Sequence, residues 1–438
     1  MSEPESAWRR RVEPARIEAT VRALRAAGEL SDEAPAVIVH DLELMRARVE
    51  ELRASFPASA LHAVAIKANP VLAILRELVT LGLGLEAASW GEVELALAAG
   101  CAPERIVYDS PAKTRSELRR ALELGLRLNL DNLDELERVA ALGPGPGAAV
   151  GLRINPAVGS GSIAATSVAD RGSRFGVPWP GSVEPLVEPF VAHPWLSGLH
   201  VHVGSQGCPL EQLLAAAERV LELREAIDRR VGEPRIRWID IGGGLPTDYG
   251  LAPMEASLFE YAAALRERVP RLLADDLQVV TELGRALQVG CGFAISRVEY
   301  VKRVGEHRLA TIHLGADLLL RTAYAPGDWP HELRVLDPEG RAKAGAAEPW
   351  TVLGPLCFAG DVVARDRMLP PIEEGDLVVV RDTGGYTTSM WSRYCSRTMP
   401  AVAGLRGAAP RLEVLRPRED GADIVHFWRG REPGTAAG

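Results

Sequence analysis

The chain has few cysteines, no surplus of positive charge and no long apolar run. Its five cysteines, Cys101, Cys208, Cys291, Cys357 and Cys395, lie far apart among 438 residues. No C-x-x-C pair occurs, so neither a disulfide framework nor a structural zinc site is expected, and no metal is assigned. The formal net charge is −9, and no basic run or basic–aromatic stripe interrupts it. Nucleic-acid binding is therefore not expected. The opening "MSEPESAWRRRVEPARIEAT" is polar and charged. It lacks the apolar centre of a signal peptide, and no membrane span is expected. A reducing, cytoplasmic setting follows as the expectation.

What is present is ordinary in bulk. Apolar residues make up 47% and charged residues 25%, as in soluble globular proteins, and the length suits one large or two medium domains. Residues 1–35 show no strong period. "PAVIVHD" then reads as a strand, and "DLELMRARVEELRASFP" as a helix with Asp41 as its N-cap. From there short apolar runs alternate with helical segments. The runs are Leu61–Ile66, Leu83–Ala88, Arg105–Tyr108, Leu126–Leu130, Ala149–Ile154, Leu199–Val203, Ile236–Ile241 and Leu277–Thr281. Three of the intervening pieces, "SWGEVELALAAG", "TRSELRRALELG" and "NLDELERVAALG", end in glycine, as helices often do. This alternation predicts a (β/α)8 TIM-type barrel over 41–290, with a doubly wound open sheet as the alternative. Beyond 290 the strands are separated by Gly, Pro and Asp turns. A mostly β domain, sandwich-like or Greek-key barrel-like, is expected from 1–40 and 291–438. The tail "GREPGTAAG" reads as disordered.

Barrel chemistry gathers at the C-terminal ends of the strands. Those ends carry Lys67, Glu86, Ser89, Asp109, Asn129, Asp131, Arg153, Asn155, His200, His202, Ser205, "DIGGGLP" after the seventh strand and "TELGR" after the eighth. Glycines 242–244 let the backbone approach an anion closely, and a phosphate site after strands seven and eight recurs in barrels. A rim lysine, a phosphate cradle, a histidine and a carboxylate together suggest pyridoxal 5'-phosphate held as a Schiff base. Lys67, the Gly242–Gly244 loop, Glu282 and His202 supply those four parts. Taken singly they have plainer readings: His202 as a satisfied core histidine, Glu282 paired with Arg285.

The stretches "HAVAIKANP", "LEAASWGEVELALAAG", "GLRINP", "SRFGVP", "GLHVHVGSQ", "DIGGGLPTDY", "ELGR", "GPLCFAGDVV" and "GDLVVVRDTGGYTTSMWSRYCSR" carry a resemblance. Together they resemble the alanine-racemase-type (fold type III) pyridoxal-phosphate decarboxylases, closest to the diaminopimelate decarboxylases and more distantly the ornithine decarboxylases. The resemblance implies that Lys67 takes up the cofactor aldehyde and His202 stacks on its ring. Ser205, Gly243, Gly244, Gly284 and Arg285 would surround the phosphate, and Glu282 would meet the pyridine nitrogen. Cys357 would protonate the carbanion, and Tyr386 would touch phosphate or substrate. Arg285, Arg321, Tyr324, Phe358 and Tyr386 would face an amino-acid substrate. Cys357 and Tyr386 would act in the partner subunit's site, which implies a homodimer with shared active sites.

Three departures from the family pattern stand out. Glu86 replaces the usual aspartate, and Tyr394-Cys395-Ser396-Arg397-Thr398 stands for "YNSRP". The residue after Cys357, normally an acid that meets a distal amine, is Phe358. An ammonium partner is then missing unless Phe358 points into the β-domain core and Asp361 or Asp328 takes over. The expected activity is α-decarboxylation of an amino acid without a distal amine at that subsite. Diaminopimelate decarboxylation itself, racemisation on the same scaffold, and a non-catalytic regulatory role are the alternatives. The last predicts a lost lysine or a damaged phosphate loop, and both are intact here.

Overall fold

A computed structural model describes residues 6–179, 181–249 and 256–430. All but the first residue of the tail expected to be disordered lies outside them. The chain divides into two units, one of residues 1–10, 46–248 and 253–288, the other of 11–45, 249–252 and 289–438.

The first unit is the barrel. Its strands, in chain order, are Leu61–Ala65, Gly84–Ala87, Ile106–Tyr108, Arg127–Leu130, Val150–Asn155, Leu196–His200, Trp238–Asp240 and Gln278–Thr281. All neighbours run parallel. The eighth pairs with the first through Val280 and Leu61, and the fourth with the fifth through Leu128 and Val150, which closes the ring and removes the open-sheet alternative. Most strands are buried along their whole length, as covered parallel strands are. The sixth strand stops at His200, not at Val203 as expected, so His202 lies in the following loop.

Local chemistry sets the helix ends. Thr114 and Glu117 form a reciprocal capping box, and Gly125 ends that helix at φ 74°. Asn132 caps the helix Leu133–Ala140, and Ser89 caps Trp90–Ala98, so Ser89 serves the helix. Inside the barrel the indole of Trp238 fills space that only glycine leaves open. A Cβ at Gly198 would lie 2.1 Å from that ring. Arg48 is buried, and its guanidinium donates to the carbonyls of Ala7 (3.1 Å), Arg10 (2.6 Å) and Ala286 (2.7 Å). It thereby holds Ala7 and Arg10 against the barrel, whereas 1–40 as a whole was expected in the β domain.

The second unit is built on a nine-stranded mixed sheet. Ala36–Asp41 runs antiparallel to Gly292–Val304 and parallel to Ala401–Arg406. Asp41 Oδ1 accepts the N–H groups of Glu43 and Leu44, as its N-cap assignment requires. The helix Pro14–Ala26 was not expected, because no period was evident there. Its buried Ile17, Val21 and Leu24 nonetheless follow i, i+4, i+7 spacing and join Val37, Val39, Phe293 and Val379 in one core. No helix among the described residues is long and apolar enough to cross a membrane.

Candidate active site

Lys67 sits on the single turn Ile66–Ala68 directly after the first barrel strand. Its Nζ lies 2.6 Å from Glu86 Oε2, and the lysine side chain stays 40% exposed while Glu86 is fully buried. The strand therefore ends on a cation held by an internal carboxyl and still open to the rim. Burial, with Asp109 close by, raises Glu86 well above the usual carboxylate range. Burial opposes ionisation of Asp109 too, but Lys67 and the hydrogen bond with Glu86 hold it below its ordinary range. The shared proton thus rests on Glu86. Arg153 Nη1 stands 4.0 Å from Asp109 and 3.8 Å from Asp131.

Across the rim, the Gly243 N–H donates to His202 Nδ1 at 3.1 Å. Nδ1 is then an acceptor and the ring is neutral. Burial, aided by Arg153 and Lys67, lowers the His202 pKa to about 3. Asp240 accepts from the Gly242 N–H at 2.9 Å and from Asn129 at 3.2 Å, and burial raises its pKa to about 6. Glu282 is raised well above the carboxylate range by burial, then by Asp240 and Asp109. It is not paired with Arg285. It shares a hydrogen bond with Asp240, and His200 Nε2 stands 3.8 Å from its Oε2. One ligand atom each from Asp109, His200 and Glu282 lies within 4.8 Å of the others. Glu282 Oε1 is buried without a hydrogen-bond partner among the described residues.

The glycines after the seventh strand are packed as tightly as an anion cradle requires. Gly244 has φ 107°, and a Cβ there would lie 2.7 Å from the Gly204 carbonyl oxygen; one on Gly243 would lie 2.6 Å from that of Glu282. Beside them Arg285 Nε donates to Ser205 Oγ at 2.9 Å. A Cβ on Gly284 would meet Ala65 and Ala68, flanking the Lys67 turn, at 2.9 Å. The barrel thus gathers Lys67, His202, Ser205, Gly243, Gly244, Glu282, Gly284 and Arg285 at one end.

The remaining expected residues lie in the second unit. The Arg321 guanidinium stacks 4.1 Å from the Trp329 ring and 4.3 Å from that of Tyr386, which has φ 57°. Tyr324, at the end of the short helix Leu320–Tyr324, is exposed and outside this stack. Cys357 is exposed. Phe358 is 42% exposed, with its ring edge-on to Tyr394 at 6.0 Å, so it does not enter the β core. Asp361 is buried and already accepts the N–H groups of Ala316 (2.7 Å) and Leu356 (2.6 Å), so it is not free to receive an amine. Trp329 carried no signal in the sequence, and Tyr394 entered only with the altered "YNSRP" stretch; its contact with Phe358 joins residues distant in the chain.

These features define a class. A family profile described as "Pyridoxal-dependent decarboxylase, pyridoxal binding domain" matches residues 42–289, and the chain belongs to that family. Within it the chain is similar to proteins named diaminopimelate decarboxylase. The one from Pseudomonas aeruginosa is 35% identical over 81% of this chain and 83% of its own length, that from Zymomonas mobilis 32% over 84% and 85%. The crystal structure of diaminopimelate decarboxylase from Helicobacter pylori complexed with L-lysine overlays with TM-score 0.80 at 27% identity, covering 92% of this chain and 98% of that one. The protein is a pyridoxal-phosphate-dependent amino-acid decarboxylase. Its barrel fits that cofactor. A phosphate needs a close backbone approach and an arginine, which the glycine loop and Arg285 provide. A pyridine nitrogen needs the buried carboxyl oxygen that Glu282 leaves without a donor.

Proposed function

We propose that the enzyme removes the α-carboxyl group of an amino acid whose distal end carries a carboxylate or another oxygen-rich group, not an ammonium. Lys67 Nζ, oriented by Glu86, binds the cofactor aldehyde. His202 lies on the ring, and Ser205, Gly243, Gly244, Gly284 and Arg285 hold the phosphate with Tyr386. Glu282, kept protonated by burial, supplies the proton held at the pyridine nitrogen. The bound cofactor supplies an electron sink for the pair left when carbon dioxide departs. The Cys357 thiol then gives a proton to the α-carbon. Cys357 and Tyr386 reach this site from a second copy of the chain, so the working unit is a homodimer.

Phe358 carries the specificity. A desolvated ammonium needs a hydrogen-bonded or charged partner, and a phenyl ring offers at most a cation–π contact. The adjacent Asp361 is committed to backbone donors. Arg321, held flat between two rings, suits bidentate contact with a distal carboxylate. The second possibility is meso-diaminopimelate itself, favoured by the 35% identity to the Pseudomonas aeruginosa enzyme of that name. Carbon dioxide release from a panel of amino acids separates decarboxylation from racemisation. On meso-diaminopimelate, Phe358→Glu is expected to raise kcat/KM by about a hundred-fold, the scale of restoring a partner to a desolvated charge. If the wild type already equals the variant, meso-diaminopimelate is the substrate and Phe358 does not select.

A further inference from the structure

We propose that a cavity beside the fifth barrel strand binds a small organic anion, a carboxylate or phosphate attached to a flat apolar group. The cavity has a volume of about 500 Å³, within the usual range for small-molecule sites. Its walls include Arg171, Arg219, Trp179, Asn155 and Ala157, and none of the residues assigned above to cofactor or substrate lines it.

The charge of the lining is the first argument. Acidic residues outnumber basic ones in this chain, 59 to 50, yet this cavity has two guanidinium groups and no carboxylate among the described residues that line it. Such a concavity concentrates anions. Arg219 Nη1 donates to the carbonyl of Pro156 and, at 3.5 Å, to that of Ala157. Neutral carbonyls hold it in place without cancelling its charge. Among the described residues neither Arg171 nor Arg219 makes an ion pair with a carboxylate. The nearby Asp170 turns towards its own loop, accepting the Gly172 N–H at 2.7 Å and facing Ser160 at 3.5 Å.

The second argument is the rigidity of the wall. Asn155 is buried. Its amide donates to the Asp170 carbonyl at 2.8 Å, and its side-chain oxygen accepts the Ala157 N–H at 3.0 Å. Ala157 is held at φ 52°, a left-handed conformation that a side chain disfavours. The Trp179 ring lies 5.5 Å from the Arg219 guanidinium and supplies the flat apolar surface. Two guanidinium forks select a planar or tetrahedral oxyanion, and an indole selects a flat body beside it.

Isothermal titration of the cofactor-loaded full chain at low salt tests this with three probes. Phenyl phosphate and benzoate share the flat body and differ in the anion; inorganic phosphate lacks the body. At least one aromatic anion is expected to bind, and more tightly than inorganic phosphate. Arg171 is exposed, so replacing it leaves the fold intact. Arg171→Ala is expected to weaken binding at least about tenfold and Arg171→Glu to abolish it, with cofactor absorbance unchanged. Whichever aromatic anion binds identifies the group the site prefers. Failure of both to bind the wild type overturns the proposal, as does unchanged affinity in Arg171→Glu, which assigns the binding elsewhere.

Discussion

The barrel rim and the second unit place their functional groups in opposite surroundings. In the barrel, Glu86, Asp109, His200, Asp240, Glu282 and Arg285 are all buried, and the protonation of the four carboxyl groups and His200 is set by burial and by neighbouring charges. In the second unit, Cys357, Phe358 and Tyr394 are exposed, and Phe358 meets Tyr394 ring against ring. A buried charged network tolerates few changes, because removing one member strands the others. An exposed aromatic face can change one residue at a time. The two settings explain why the family pattern is kept almost intact in the barrel and breaks at Phe358. Cofactor chemistry belongs to the first region, and substrate choice is proposed for the second.

The sharpest way to break this division is Lys67→Ala. Turnover should disappear, and borohydride should no longer fix cofactor to the chain; persistent labelling would place the attachment elsewhere. Glu282→Gln should keep cofactor and lose activity by about a hundred- to a thousand-fold, the loss of roughly 3–4 kcal/mol of electrostatic stabilisation. An unchanged rate shows that another group holds the proton at the pyridine nitrogen. The proposed sharing of sites between subunits predicts complementation. Lys67→Ala and Cys357→Ala subunits, each inactive alone, should recover up to about a quarter of wild-type activity after exchange, since half the dimers are mixed and each has one intact site. No recovery after verified exchange would show that each site is built from a single chain. The smallest effect concerns pH. His62, buried and bonded to Thr281 Oγ1 at 2.9 Å, has its pKa lowered to about 4, chiefly by burial. The folded barrel binds fewer protons there than the unfolded chain. The stability this contributes is therefore present above pH 6.5 and is lost as pH falls through about 4. His62→Gln should flatten denaturant-melt stability over that interval by up to about 3 kcal/mol. An identical pH profile in the variant excludes His62 as a source of acid sensitivity.

The barrel was legible because its signals are local. Apolar runs, capping residues such as Thr114 and Asn132, and the glycines after strand seven each act within a few positions. Lys67 stood out for the same reason, as a cation at the end of a buried run. The helix Pro14–Ala26 was missed because only Ile17, Val21 and Leu24 mark its buried face, amid alanine and charge. The loop position of His202 was missed because "LHVHV" alternates like a strand to its end. The sharing of a proton between Glu86 and Asp109, and the stacking of Arg321 between Trp329 and Tyr386, depend on residues that only the fold brings together.

Arg48 bears on the order of events when the chain folds. Its guanidinium contacts the carbonyl of Ala286, 238 positions later, as well as those of Ala7 and Arg10. The early helix that carries it cannot finish docking until nearly the whole barrel has left the ribosome. Such distant closures are slow, because the entropy of the intervening loop is lost before the contact forms. The nascent barrel therefore stays open at this seam through most of its synthesis, and the seam is where a chaperone would find exposed backbone to protect.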